Sequence, residues 1–258
     1  MGNHQDPSVL PPADEPGPRG KTAWGRYIAS CVQWISDRLG SRATLILILA
    51  VGALLVVGLT VLSATVYDAV TEGDGVAALD HPALAAVKSI RSPALDVFAT
   101  AYTNTAGGIV MPILTVIALI VLSLKQRSWT PTILIVAASV GSLLMTIAGK
   151  QIIGRARPPL SDAVPPFEYS ASFPSGHTLN ATVIAGIIAY VLIMRQRSVR
   201  ARVLTLITAA IFSISIGASR VYLGHHWLTD VLIAFTLGLT WLAIVITAHR
   251  LYVTTRKR

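Results

Sequence analysis

The sequence predicts an all-α, polytopic membrane protein with six transmembrane helices, a disordered N-terminal tail and interfacial amphipathic helices. Three observations carry that reading: composition, the placement of apolar runs, and the side on which basic residues fall. Of 258 residues, 53% are hydrophobic and only 13% charged, with a mean hydropathy of +0.64, whereas soluble domains carry about a quarter charged residues. The apolar residues lie in long charge-free runs that a water-facing surface could not accommodate, which argues against a soluble globular enzyme. Cys31 is the single cysteine, so neither an intramolecular disulfide nor a cysteine metal cluster can form.

In chain order, residues 1–20 are rich in proline between Pro7 and Pro18 and lack apolar periodicity. Such a segment buries too little to offset its ordering entropy, and a disordered tail is expected. Over 21–42, Trp24, Tyr27, Ile28, Cys31, Trp34, Ile35 and Leu39 recur at spacings of three and four, with Arg26, Asp37 and Arg38 between them. This predicts an amphipathic helix lying in the interface. A six-helix domain is expected over 43–250. Its first span is the charge-free stretch 43–67, long enough for a hydrocarbon core of about 30 Å at about 1.5 Å per residue. Residues 68–105 are mixed, with Pro82 and the helix-start signal Ser92-Pro93-Ala94-Leu95-Asp96, and predict short interfacial helices. The second span is expected at 107–124, with Pro112 as a kink, followed by spans at 131–149, 178–194, 203–219 and 227–248. Residues 251–258 are expected to form a basic tail.

Six crossings put both termini on one side. Of the 21 Lys and Arg residues, 15 fall beside the termini and the two short linkers on that side, which predicts a plasma-membrane protein with cytoplasmic termini. The net charge of +9 is thus a topology signal with some attraction for anionic head groups, and no nucleic-acid partner is needed to explain it. The opposite face holds Lys88, Arg91, Lys150, Arg155, Arg157 and Arg220 among eight acidic residues.

Four of those six basic residues sit in two short segments at span boundaries. Lys150, Arg155 and Arg157 follow the third span, Ser175, Gly176 and His177 open the fourth, and Arg220, His225, His226 and Asp230 join the fifth to the sixth. All three segments emerge on the same face. Lys150, Arg157 and Arg220 offer charge and forked donors suited to a phosphate, and Gly176 beside Ser175 lets backbone N–H groups at a helix start approach an anion. His226 and Asp230 are four apart on one helix face, so that Asp230 can accept from one ring nitrogen and leave the other directed at phosphorus. His177 is then available as general acid for the leaving oxygen.

The runs Lys150-Gln-Ile-Ile-Gly-Arg-Ala-Arg157-Pro158, Pro174-Ser175-Gly176-His177 and Ser219-Arg220-Val-Tyr-Leu-Gly-His-His226-Trp-Leu-Thr-Asp230 resemble, in order and spacing, the three-part signature of the type 2 phosphatidic acid phosphatase and vanadium haloperoxidase superfamily. The resemblance implies a metal-independent phosphatase working through a phosphohistidine. In that reading His226 is the nucleophile, Asp230 its orienter and His177 the acid; Lys150, Arg157, Ser175, Gly176 and Arg220 form the phosphate cradle. It also implies a lipid phosphate or diphosphate substrate taken from the outer face: phosphatidate, phosphatidylglycerol phosphate, or a polyprenyl diphosphate such as undecaprenyl diphosphate. No metal or other cofactor is implied. His225 before the nucleophile and Leu228, where relatives often have proline, are less typical.

Outside the motifs, plainer roles are expected. Arg155 reads as an interfacial anchor, His225 as a head-group-level neighbour, and Asn180 as a polar contact between helices. Trp24, Trp34, Trp129, Trp227 and Trp241 read as aromatic belts. A lipid phosphotransferase using the same phosphohistidine is the alternative function. A haloperoxidase is disfavoured by the six apolar spans, and a lipid transporter by the presence of His177, His226 and Asp230 together.

Overall fold

Eight α-helices follow one another over residues 41–256, the part of the chain that this computed structural model describes, with no strand among those residues. They are α1 (Ser41–Glu72), α2 (Asp80–Ser89), α3 (Pro93–Thr103), α4 (Val110–Gln126), α5 (Thr130–Ile153), α6 (Gly176–Ile193), α7 (Val199–Tyr222) and α8 (Leu228–Arg256). The all-helical membrane architecture is thus as expected. The tail over 1–20 and the amphipathic segment 21–42, apart from its last two residues, lie outside the described residues.

Five helices, α1 (over Leu45–Glu72), α5, α6, α7 and α8, are each long and apolar enough to cross a membrane. A further candidate crossing, second in chain order, is built differently. α4 has 17 residues and reaches spanning length only together with the preceding Pro93–Ala106 segment, across a 47° bend. That bend falls at Gly107-Gly108, where helix propensity is low, and not at Pro112. Pro112 is the third residue of α4, inside the first turn, where its missing N–H breaks no helical bond. Ser92 opens α3 as the sequence signals, accepting from the Leu95 N–H with Pro93 in the first turn. The expected basic tail over 251–258 is helical up to Arg256, because α8 runs through it.

The helices pack around α6, half of whose span is buried, against 6% for α1. Leu179, Val183, Ile187 and Val191 of α6 meet Leu134, Ile135 and Ala138 of α5 and Ala234, Leu242 and Val245 of α8 in one apolar core. Between apolar lipid and apolar helix there is little hydrophobic driving force, so close packing and polar contacts must hold the bundle. Gly141 of α5 provides the former: a Cβ there would lie 2.1 Å from the Trp241 ring. Ser63 of α1 provides the latter, donating to Thr236 Oγ1 of α8 at 2.8 Å.

Two left-handed glycines then turn the chain toward the site. Gly154 (φ +60°) ends α5 and releases Arg155 and Arg157 into the loop before α6. Gly224 (φ +69°) follows α7, and a Cβ there would sit 2.3 Å from the Asp162 carbonyl oxygen. Its tight turn lets the N–H groups of His225 and His226 both point at the Arg220 carbonyl, at 3.1 and 3.3 Å. The α5–α6 loop is pinned on it by the Val164 N–H to Leu223 carbonyl bond, at 2.8 Å, and by Arg91, which donates to the carbonyls of Tyr222 and Asp162.

Candidate active site

The three segments converge at one end of α5, α6, α7 and α8. The second is joined to the third by the Ser175 N–H, which donates to the Asp230 carbonyl at 3.2 Å. The first is joined to the third by Arg157. One of its terminal nitrogens donates to the His225 carbonyl at 2.5 Å and lies 3.2 Å from His226 Nε2. A guanidinium has only donors, so Nε2 of His226 is the unprotonated nitrogen and Nδ1 carries the ring proton. His226 is 1% exposed; burial first, and then the charges of Arg220 and Arg157, hold its pKa well below the ordinary histidine value. A neutral imidazole with its free lone pair facing a guanidinium is the state a nucleophile toward phosphorus needs.

Behind the ring, the structure corrects one expectation. Asp230 does not bond His226 directly: Oδ2 is 3.6 Å from Nδ1, beyond hydrogen-bond reach. Ser172 stands between them, donating to Asp230 Oδ2 at 2.5 Å, with its Oγ 3.3 Å from His226 Nδ1. The carboxylate is held back because it also accepts the Trp227 N–H at 3.0 Å. Trp227 precedes the first residue of α8, so Asp230, at the third helical position, closes the helix start. Nδ1–H to Ser172 Oγ to Asp230 is therefore a relay of three groups.

Asp230 is fully buried, and its other oxygen takes an ion pair from Arg155 at 2.7 Å. Arg155 is thus no interfacial anchor. It also donates to Thr229 Oγ1 at 2.8 Å and pairs with Asp80 of α2 at 2.7 Å. Asp80, 3% exposed, in turn accepts from the Thr229 N–H at 2.9 Å and its hydroxyl at 2.7 Å. One guanidinium between two buried carboxylates, with the free N–H groups of α8 on both, satisfies a cluster that would otherwise be costly to bury.

On the front side of His226 the cradle is assembled around Glu168. Its carboxylate pairs with Arg157 at 2.8 Å and with Arg220, which is 1% exposed. Burial alone would raise the Glu168 pKa, but Arg220 and Arg157 bring it down to about 2. Arg157 is itself lowered, first by burial, with Glu168 and Asp230 opposing. Lys150 reaches over the same loop to Ser170 Oγ at 3.2 Å and to the Ala171 carbonyl. Arg157 and Arg220 thus share the Glu168 carboxylate, and Lys150 shares Ser170 and Ala171 with Arg157, an arrangement of three cations suited to a phosphoryl group.

Ser175 and Gly176 open α6. The Ser175 side chain turns inward to Thr178 Oγ1 at 2.9 Å, and Gly176 has only Thr146 near its missing Cβ. His177 lies beside Gly107: a Cβ at that glycine would be 3.3 Å from His177 Nε2. Among the described residues the His177 ring enters no hydrogen bond, leaving it free for a ligand. His225 donates Nε2–H to the Val164 carbonyl at 2.7 Å, so it serves the loop, and burial followed by Arg220 lowers its pKa. Asn180 accepts from Ser142 of α5 at 2.7 Å, a contact between helices as expected.

A family model described as the PAP2 superfamily matches residues 128–253. Phosphatidylglycerophosphatase B of Bacillus subtilis (strain 168) is 33% identical over 152 residues, which are 58% of this chain and 73% of that protein. The chain belongs to the PAP2 superfamily. The crystal structure of a transmembrane PAP2-type phosphatidylglycerolphosphate phosphatase from Bacillus subtilis superposes with a TM-score of 0.69 at 29% identity, covering 76% of this chain and 96% of the other. Aquifex aeolicus LpxE shares the fold, with a TM-score of 0.51 at 23% identity over 65% and 94% of the two chains. By family and by fold the chain is an integral-membrane PAP2 phosphatase.

Four residues of this PAP2 site went unread in the sequence. Asp80 opens the short helix α2 and belongs to none of the three motif runs. Ser172 stands just ahead of the Pro174-Ser175-Gly176-His177 run, and Glu168 in a loop with no periodic signal. Arg155 lies inside a motif run yet was assigned to the interface.

Proposed function

We propose that this PAP2 phosphatase hydrolyses a phosphomonoester or diphosphate of a membrane lipid through a phosphohistidine on His226. The observation that carries the reading is the orientation of that ring: Nε2 faces Arg157 inside the cradle and Nδ1 faces Ser172 and Asp230. The Nε2 lone pair attacks phosphorus, the P–O bond to the lipid breaks, and His177 gives its proton to the departing oxygen. As Nε2 becomes bonded, the ring turns cationic, and the Ser172–Asp230 relay stabilises that charge. Water then attacks the phosphohistidine, His177 takes its proton, and phosphate leaves. Lys150, Arg157 and Arg220, with the N–H groups at the start of α6 around Ser175 and Gly176, balance the charge on the equatorial oxygens.

The same reading takes residues 43–250 as the catalytic domain and places both termini in the cytoplasm and the site on the outer face, on the basic-residue bias. The lipid tail stays among the helices. Of the candidate substrates, phosphatidylglycerol phosphate is favoured by the likeness in sequence and in structure to Bacillus subtilis phosphatidylglycerophosphate phosphatase, with phosphatidate and undecaprenyl diphosphate as the comparison set.

The test is phosphate release by the purified protein in detergent with EDTA from these three lipids, alongside His226→Ala. Release that the variant loses by a factor of about a thousand or more is expected. Turnover by His226→Ala near the wild-type rate overturns the mechanism. Release seen only when a lipid or sugar hydroxyl acceptor is added assigns the chain to the phosphotransferase alternative.

A further inference from the structure

The end of the bundle away from this site carries a second polar construction that phosphate hydrolysis does not use. α6 leaves the site at His177 and α8 at Asp230; Tyr190 and His249 lie 13 and 19 residues further on, about 20 and 28 Å at about 1.5 Å per residue. There Tyr190 Oη and His249 Nδ1 meet at 2.8 Å.

A cavity of about 670 Å³ opens on one side of that pair, and Arg195, Arg202 and Arg250 stand in its wall with no acidic residue. Their partners are few. Arg195 reaches Gln126 Oε1 at 3.4 Å, Arg202 the Gln196 carbonyl at 2.8 and 3.0 Å, and none of the three enters an ion pair among the described residues. Guanidiniums sharing one cavity repel one another unless an anion lies between them, and their forked donors fit a phosphate. An apolar groove of about 530 Å³ runs along α5 and α8 past Trp241, and Thr130 and His249 belong to its wall as well as to the cavity's.

A free anion would fill only the cavity, and a hydrocarbon only the groove. An amphiphile with an anionic head fills both. We infer that this is a binding site for an anionic phospholipid, its phosphate among Arg195, Arg202 and Arg250 and one acyl chain along the groove beside Trp241. Its ligand is a phosphodiester with no free phosphoryl group, so it is not a substrate of the catalytic site. The site depends on none of the catalytic residues and stands whether or not the proposed reaction is correct.

The experiment uses the full chain, stripped of lipid in neutral detergent, with thermal unfolding and native mass spectrometry as readouts. The additions are phosphatidylglycerol, phosphatidylcholine, or inorganic phosphate alone. Phosphatidylglycerol is expected to raise the unfolding midpoint by about 3 °C and to remain bound as one retained lipid, while the other two shift it by less than about 1 °C. The combined variant Arg195→Gln, Arg202→Gln, Arg250→Gln is expected to lose the shift, and Arg157→Gln, in the catalytic cradle, to keep it. Arg250→Gln alone provides a milder change, expected to weaken phosphatidylglycerol binding about fivefold. An equal shift with inorganic phosphate, an equal shift with phosphatidylcholine, or unchanged binding by the arginine variants overturns the proposal.

Discussion

Arg155 and Asp230 are joined by a 2.7 Å ion pair whose second arm ties in Asp80 from a different helix. The orienting carboxylate is therefore set from outside the three motif segments, by an acid about 150 residues earlier in the chain. Neither Arg155 nor Asp80 touches the cradle, so both are positioning residues. Arg155→Ala leaves two buried carboxylates without their counter-charge, and a stability loss of about 3–5 kcal/mol is expected. Asp80→Asn, which keeps shape and removes charge, is the gentler probe. Its kcat is expected to fall about tenfold with KM within a factor of about two, because substrate binding is untouched. Steady-state kinetics with a lipid phosphate check this split, and an effect confined to KM would contradict it.

Ser172 is the middle member of the relay, and its removal leaves Asp230 3.6 Å from the ring nitrogen it serves. Hydrogen bonds to charged groups contribute about 1.5–3 kcal/mol. Ser172→Ala is accordingly expected to lower kcat by about 10- to 100-fold while the folded protein and its KM persist. A wild-type kcat in this variant would show that the carboxylate reaches the ring unaided.

Glu168 lies between Arg157 and Arg220, where the proposed reaction puts a phosphoryl group. Substrate and carboxylate therefore compete. Glu168→Gln is expected to tighten competitive inhibition by inorganic phosphate about tenfold, about 1.4 kcal/mol, measured as a fall in the inhibition constant.

The same residue gives a dependence of stability on pH. Its folded pKa, about 2, lies below the ordinary 4.5, so its contribution is fully present above pH 4.5 and is lost as pH falls from there through 2. Thermal unfolding of wild type and Glu168→Gln should therefore converge over that interval, and parallel curves would count against the ion pairs.

His226 must be neutral to attack, and burial with two arginines keeps it so below the ordinary pKa of 6.5. Protonation sets in only as pH falls through that depressed value. After allowance for ionisation of the substrate phosphate and of His177, the acid limb of kcat/KM that belongs to His226 should lie below pH 6.5. A limb centred at or above 6.5 and abolished with His226 would refute this.

The spans were legible because length and apolar runs suffice to write a helix across a bilayer, and the motif residues were legible because three short runs share one face. The second span was legible only over its α4 half, for a physical reason. Apolar composition alone runs on from Gly107, while the helix geometry includes α3 and bends at two glycines. The second layer of the site was hidden for another. Ser172 and Glu168 come from a segment without periodicity that only the folded loop over 154–175 brings to His226, and Asp80 comes from α2 and reaches the site through Arg155 and Thr229. Arg155 shows the limit most plainly, since a snorkelling side chain and a buried counter-ion look alike until the carboxylates on either side are placed.

Asp230 closes the first turn of α8 and, with the same oxygen, holds Ser172 behind the His226 ring. In many enzymes the groups that make the reaction fast make the protein fragile, and a lineage can exchange one for the other. That exchange is closed here. A descendant that abandoned catalysis would gain no firmness by discarding this carboxylate, because the Trp227 N–H would lose its acceptor and Arg155 one of its two carboxylate partners. Its removal is therefore expected to cost stability even in a variant that no longer turns over substrate.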